Sequence, residues 1–307
     1  MNLTFNQAYN YYESYYKMTF KTRSIDAAKS IFNLYILPFF DNMKMCDISK
    51  NDILKFEQKI DSLNCSYKYK KDIYVFLAMF FHYCRKYLDL EKNVVEEVGF
   101  VLKNKDENKE VADIWTYREY KKFIKKVDNV VYKRLFEFLM FTGCRVGEAQ
   151  ALTFKDINKN MVSINRTLIK GSRGFNSPKT KESIRKFKID IKLRIEIYFL
   201  KRFYKKKYGF FYNNFYVFGG KKYLSHTSIT RHKNNACKKA NVKQIRIHDF
   251  RHTHITILLS KGVPVKAVCK RVGHKEVDTT LNIYSHVLEK DNKRIIKSLN
   301  LLRMSIF

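Results

Sequence analysis

Apolar side chains recur at three- and four-residue intervals along most of the chain and switch to strict alternation in one short stretch. The first period is that of an amphipathic helix, the second that of a half-buried strand. Ala8 to Tyr16 is aromatic-rich, and Ala27 to Phe40 keeps helical spacing on both sides of Pro38. Asp47 or Ser49 could cap a helix running through Ile53, Phe56 and Ile60, and Tyr69 to Tyr87 is the longest amphipathic stretch. The first hundred residues therefore read as a small all-helical bundle. Residues 102–113 (LKNKDENKEVAD) are polar, charged and free of aromatics. This predicts a linker over 104–113, between one domain at 1–103 and another at 114–307.

A new helix start follows at once. Thr116 and Glu119 have the spacing of a capping box, and Tyr120, Phe123 and Ile124 lie on one side of the helix it would open. Val130 to Phe141 continues as a second helix. Val162, Ile164 and Leu168 then alternate with polar residues, as do Phe187 and Ile189, with a Gly-Ser-Arg-Gly turn at 171–174 between them. That pattern predicts a small antiparallel sheet inside a mainly helical domain. Helical periodicity returns at Leu193 to Tyr204, Thr227 to Lys239, His248 to Ser260 and Val265 to Val272. A tail at 292–307 places Ile295, Ile296, Leu299 and Leu302 at helical spacing, suited to docking on its own domain or on a neighbouring subunit. No internal repeat is visible.

Charge narrows the partner. The chain has 307 residues, with 61 basic and 29 acidic side chains, a net of +32. Residues 1–100 hold 14 basic and 12 acidic side chains, so almost all of the excess lies beyond them. Within 191–250 only Glu196 and Asp249 oppose 15 basic residues. A polyanion, nucleic acid first, is the expected partner. The apolar run Tyr74 to Phe81 is far short of the roughly 20 residues that cross a bilayer, and residues 1–10 lack the features of a signal peptide. A cytoplasmic, nucleoid-associated protein with no membrane partner is expected. Six cysteines without a Cys-x-x-Cys pair suggest neither a disulfide framework nor a thiolate zinc site.

Four segments could carry chemistry. In Thr142-Gly143-Cys144-Arg145-Val146-Gly147-Glu148 the two glycines let backbone approach closely, while Arg145 and Glu148 share one helical face. A tethered arginine can grip a phosphate bidentately. In His248-Asp249-Phe250-Arg251 a histidine titrating near the working pH stands beside a permanently charged fork, which suits proton transfer next to an oxyanion. His248 and His252 superficially resemble the zinc-protease pair, but Arg251 would put a cation between the two ligands. No metal is expected, and His252 and His254 read as packing or capping residues. The remaining segments are Gly273-His274 and, ten residues on, Tyr284, one of 21 tyrosines and a possible nucleophile toward phosphorus.

Taken together, in this order and spacing, these segments resemble the tyrosine recombinases, the phage-type integrase family. TGCRVGE at 142–148 matches the family's arginine box, HDFRHTH at 248–254 its His-x-x-Arg box, 273–274 its Gly-His, and Tyr284 its nucleophile. The resemblance implies a two-domain, C-shaped DNA clamp made of a helical core-binding domain and a catalytic domain. It also implies a catalytic lysine on a β-hairpin turn, for which Pro178-Lys179-Thr180 offers Lys179, with Lys181 close by.

The roles implied are binding of the scissile phosphate by Arg145 and Arg251, with Glu148 orienting Arg145, and attack by Tyr284. Lys179 would protonate the leaving 5′-oxygen, His248 would move the tyrosine proton, and His274 would brace the phosphate. No metal, cofactor or ATP is implied. The expected partners are double-stranded DNA with specific sites, three further copies of the chain in a tetramer on that DNA, and accessory DNA-bending or excision factors. A start at Met1 would leave no room for a further arm-site domain. Integration and excision of a mobile element is the leading expectation. Dimer resolution, inversion, topoisomerase-like relaxation and non-catalytic regulation are the alternatives.

Overall fold

The computed structural model describes residues 2–20, 22–104, 113–168, 174–176 and 184–273. The chain divides into two compact units, Met1–Lys109 and Glu110–Phe307.

The first unit is all helix among its described residues. α1 (Phe5–Thr19) opens on a capping box in which Thr4 and Gln7 satisfy each other's backbone N–H. α2 (Thr22–Ile31) runs through a π-helical stretch, Phe32–Ile36, into α3 (Leu37–Phe40). The wider turn has a local cause. Pro38 has no N–H to donate, and just before it Leu37 N–H reaches back five residues to the Phe32 carbonyl. Helical spacing thus survives on both sides of the proline, as the pattern predicted. α4 (Lys50–Asp61) is capped by Ser49, whose hydroxyl accepts from Asp52 N–H, so Ser49 and not Asp47 is the cap. α5 (Tyr67–Tyr87) is the long helix, and α6 (Val94–Val98) follows it. Phe5, Phe32, Phe40, Phe80 and Phe81 are fully buried between these helices, each contributing about 1.5–3 kcal/mol of transfer free energy.

The second unit begins with α7 (Tyr117–Lys125), opened by the predicted Thr116–Glu119 capping box, and α8 (Val130–Thr142). α9 (Val146–Ala151) is a short helix after a turn at Gly143. Where one sheet was expected, two small antiparallel sheets form. β1 (Ile157–Asn158), β2 (Met161–Ile164) and β5 (Arg185–Lys188) make one, with Val162 opposite Phe187 and Ile164 opposite Arg185. β3 (Thr167–Leu168) and β4 (Phe175–Asn176) make the other, which takes Leu168 out of the first sheet. α10 (Ile191–Tyr208), α11 (His226–Ala240), α12 (Asp249–Ser260) and α13 (Val265–Val272) complete the described unit. Phe136 stacks on Phe250 at 5.6 Å and Phe123 meets both rings edge-on, joining α7, α8 and α12. Ile255 and Leu259 pack with Val268 and Val272, fixing α13 on α12. Residues 171–173 of the turn predicted at 171–174, and the tail at 292–307, lie outside the described residues.

Candidate active site

Arg145 stands where α8 gives way to α9, and two glycines shape that junction. Gly143 ends α8 in the left-handed region, φ 66°, with its N–H on the Leu139 carbonyl. A Cβ at Gly143 would lie 2.6 Å from Cδ2 of the buried His254 ring. A Cβ at Gly147 would lie 2.9 Å from the Leu168 carbonyl oxygen on β3. Both positions therefore need glycine for the close approach that the sequence suggested.

Arg145 occupies the N-cap of α9, with its side chain 39% exposed. Its Nη1 donates to Glu148 Oε1 at 3.1 Å, and its backbone N–H donates to Glu148 Oε2 at 3.0 Å. Glu148 is buried and also receives both terminal nitrogens of Arg185, Nη1 to Oε1 at 3.1 Å and Nη2 to Oε2 at 2.8 Å. Burial pushes the Glu148 carboxyl up, but the Arg185 hydrogen bonds and the charges of Arg185 and Arg145 outweigh it and hold the pKa below the usual carboxylate range.

Arg251, in the first turn of α12, is 1% exposed and donates from Nη1 to the Gly143 carbonyl at 2.8 Å. Its Nε and Nη2 are buried with no hydrogen-bond partner among the described residues. Burial, with repulsion from Arg145, pushes its pKa down to about 10, which leaves it charged at neutral pH. An isolated buried cation is costly unless something anionic completes its surroundings. Glu148 is paired with Arg145 and Arg185 and acts on Arg251 only through its charge, so the three guanidiniums share one carboxylate and carry a surplus of positive charge.

His248 precedes α12 and keeps an exposed edge, its ring 5.0 Å from that of His252. Desolvation, then repulsion from His252, Arg251 and Arg145, pushes its pKa down to about 4 against the pull of Asp249. This corrects the expectation of a histidine titrating near the working pH: His248 is neutral there, an acceptor and not a donor of charge. His254 behaves as a packing residue, buried with Nδ1 paired to the Met140 carbonyl at 2.9 Å. The Asp249 carboxylate is engaged by the backbone N–H and guanidinium of Arg246.

The structure brings together three of the six residues the sequence singled out, Arg145, His248 and Arg251, and the charge of Arg145 acts on both of the others. Lys179, His274 and Tyr284 lie outside the described residues. Sequence reasoning missed Arg185. The signal was present in Arg185-Lys186-Phe187-Lys188, because strand alternation assigns Arg185 to the same inward side as Phe187, and both are buried. A cation at a position meant for a hydrophobe requires a buried anion.

Two family models match, the phage integrase family over residues 107–291 and the phage integrase N-terminal SAM-like domain over residues 4–60. The integrase of the element ICEBs1 from Bacillus subtilis is 28% identical over 286 residues, covering 89% of this chain and 76% of that protein. The Tn1549 transposon integrase, solved in complex with a circular intermediate DNA, superposes with a TM-score of 0.74 at 17% identity, over 95% of this chain and 99% of that one. Lambda integrase, solved as a tetramer bound to a Holliday junction, gives a TM-score of 0.69 at 15% identity, over 89% and 78%.

Proposed function

Because the chain belongs to the phage integrase family and is a tyrosine recombinase, we propose that its arginine cluster binds the scissile phosphate of double-stranded DNA during site-specific integration and excision of a mobile element. The observation that carries this reading is Arg251. A fully buried guanidinium with two unengaged donors is arranged for an anion that the described residues do not supply. The ICEBs1, Tn1549 and lambda relatives are integrases of mobile elements, which favours that role over dimer resolution or inversion.

In this reading Arg145 and Arg251 hold the two non-bridging oxygens and stabilise the charge that grows on them in the transition state. The Tyr284 hydroxyl oxygen attacks phosphorus, forming a 3′-phosphotyrosine as the bond to the 5′-oxygen breaks. Neutral His248 accepts the tyrosine proton, and Lys179 delivers a proton to the departing 5′-oxygen. His274 braces the phosphate. The phosphodiester energy stays in the protein–DNA bond, so a 5′-hydroxyl from a second duplex can reverse the step and reseal a recombinant strand. The chain acts as a tetramer on DNA, in the cytoplasm and on the nucleoid, with accessory bending or excision factors setting direction. No described helix is long and apolar enough to cross a membrane.

The test uses a nicked duplex spanning the element–chromosome junction beside this reading frame, on which cleavage traps the covalent complex. Wild-type protein should give a protein–DNA adduct on a denaturing gel. Tyr284→Phe should give none while still retarding the duplex on a native gel. An adduct with Tyr284→Phe would reject the nucleophile.

A further inference from the structure

We infer that Arg185 is a positioning residue for the cleavage step, holding Glu148 so that Glu148 can hold Arg145. The inference rests on the phosphate-binding role given above to Arg145, and it extends the site to a strand the sequence motifs do not include.

The geometry separates Arg185 from an ordinary structural cation. Arg185 opens β5, is 8% exposed, and faces Glu148 as a parallel fork, with two nitrogens on two oxygens. The same carboxylate oxygens each take one further donor from Arg145, Nη1 on Oε1 and the backbone N–H on Oε2. Four donors converge on one buried carboxylate, two of them on the residue that would touch the phosphate and two on Arg185. Behind the fork, Arg185 Nε donates to the Arg271 carbonyl on α13 at 2.9 Å, and Nη2 lies 3.6 Å from Cys144 Sγ in the turn before Arg145. Its guanidinium is therefore anchored on three sides.

Arg145 by itself is held weakly. Its side chain is more than a third exposed, and a lone ion pair at such a position contributes little. Its orientation is worth something only if Glu148 cannot turn or take up a proton, and both conditions depend on Arg185. The fork removes the rotation, because a bidentate pair fixes the carboxylate plane. The buried charge opposite the carboxylate keeps it ionised at 2% exposure, where burial alone would favour the neutral acid. Take away Arg185, and buried Glu148 keeps hydrogen bonds only from the partly exposed Arg145, while Arg251, bonded instead to the Gly143 carbonyl, acts on it by charge at a distance. It would then titrate at higher pH and lose its hold on the Arg145 guanidinium as it became protonated.

A merely structural cross-link between β5 and α13 would act through stability, whereas a positioning residue acts through the pH dependence of the chemical step. Single-turnover cleavage of the nicked duplex with the full chain distinguishes them. Arg185→Gln should slow cleavage on the order of 10²-fold, as small misplacements of reacting groups do, with duplex affinity within about threefold of wild type. Its rate should also acquire a limb, absent from wild type, that falls as pH drops, because Glu148 without the fork takes up a proton more readily. Arg185→Lys, which keeps the charge and loses the fork, should remove that limb while recovering only part of the rate. Arg185→Gln combined with Glu148→Gln should be no slower than the slower single variant, since both break the same chain.

A wild-type rate and profile in Arg185→Gln would overturn the inference, as would a rate loss that tracks a lower melting temperature with an unchanged pH profile. Arg145→Ala serves as the control. If it is inactive while Arg185→Gln is normal, Arg185 has no positioning role but Arg145 keeps its own. If Arg145→Ala cleaves normally, the phosphate-binding role itself fails.

Discussion

Gly143→Ala places a single methyl group where the structure leaves no room for one. Two costs can be separated. The backbone at φ 66° is left-handed, which costs a residue with a Cβ about 1–2 kcal/mol. The new Cβ would also sit 2.6 Å from His254 Cδ2 and 3.0 Å from Val272 Cγ1, where carbon atoms normally rest about 3.5–4.0 Å apart. The His254 ring cannot swing aside, because it is buried and its Nδ1 is bonded to the Met140 carbonyl. Overpacking of this kind costs about 1–3 kcal/mol, so the total is roughly 2–5 kcal/mol.

Gly209→Ala supplies the reference. Gly209 ends α10 at φ 77°, also left-handed, but a Cβ there meets nothing within 4 Å. It should lose only the backbone cost, about 1–2 kcal/mol. Urea unfolding of both variants at one pH should therefore place Gly143→Ala about 1–3 kcal/mol below Gly209→Ala at unchanged slope. Cleavage should fall in Gly143→Ala alone, because the Gly143 carbonyl is the acceptor that holds Arg251. Equal stabilities for the two variants, within about 0.5 kcal/mol, would refute the steric reasoning.

Two further outcomes follow from buried titratable groups. Glu196 and Glu137 share the Arg134 guanidinium at 2.8 and 2.6 Å, with Lys192 and Tyr120 also close enough to act on them. Burial first, then Glu137, pushes the Glu196 pKa up to about 7, so the fold favours its protonated form. Its contribution to stability is thus full below the ordinary carboxylate pKa, declines as pH rises, and is gone above about 7. Glu196→Gln should cancel that decline, gaining on the order of 1–3 kcal/mol over wild type at pH 8 and little at pH 5 by urea unfolding. An equal effect at both pH values would show that Glu196 does not titrate in this range. The second outcome concerns His248, whose pKa near 4 keeps it neutral. The wild-type single-turnover rate should show no limb near 6.5, the ordinary histidine value, and a limb there that vanishes in His248→Gln would contradict the assignment.

The helices were legible because their signals are local. Thr116 and Glu119 form the capping box their spacing announces, and Val265 to Val272 is helical over the residues read from its periodicity. Local signals also located Arg145 and Arg251, since each stands in a short run with a partner three residues away. The division of the strands was harder. Leu168 continues the alternation of Val162 and Ile164, yet it pairs with Phe175 in a separate sheet, because pairing depends on what returns alongside a strand. Ser49 and Asp47 were equally good caps on paper. Only Ser49 stands at the residue where α4 begins.

Residue types and their order were enough to establish a basic, mainly helical chain of the integrase family, and to single out two arginines and a histidine as candidates for binding a phosphate. They could not establish the electrostatic state of those groups. The burial that takes His248 to about 4, the Arg251 donors left unengaged among the described residues and the fork of Arg185 on Glu148 all depend on how distant segments pack. Arg185 and Glu148 are 37 positions apart, and nothing in either neighbourhood names the other. Burial and Coulomb interactions depend on distance in space, so they exist only once β5, α9 and α12 have packed together.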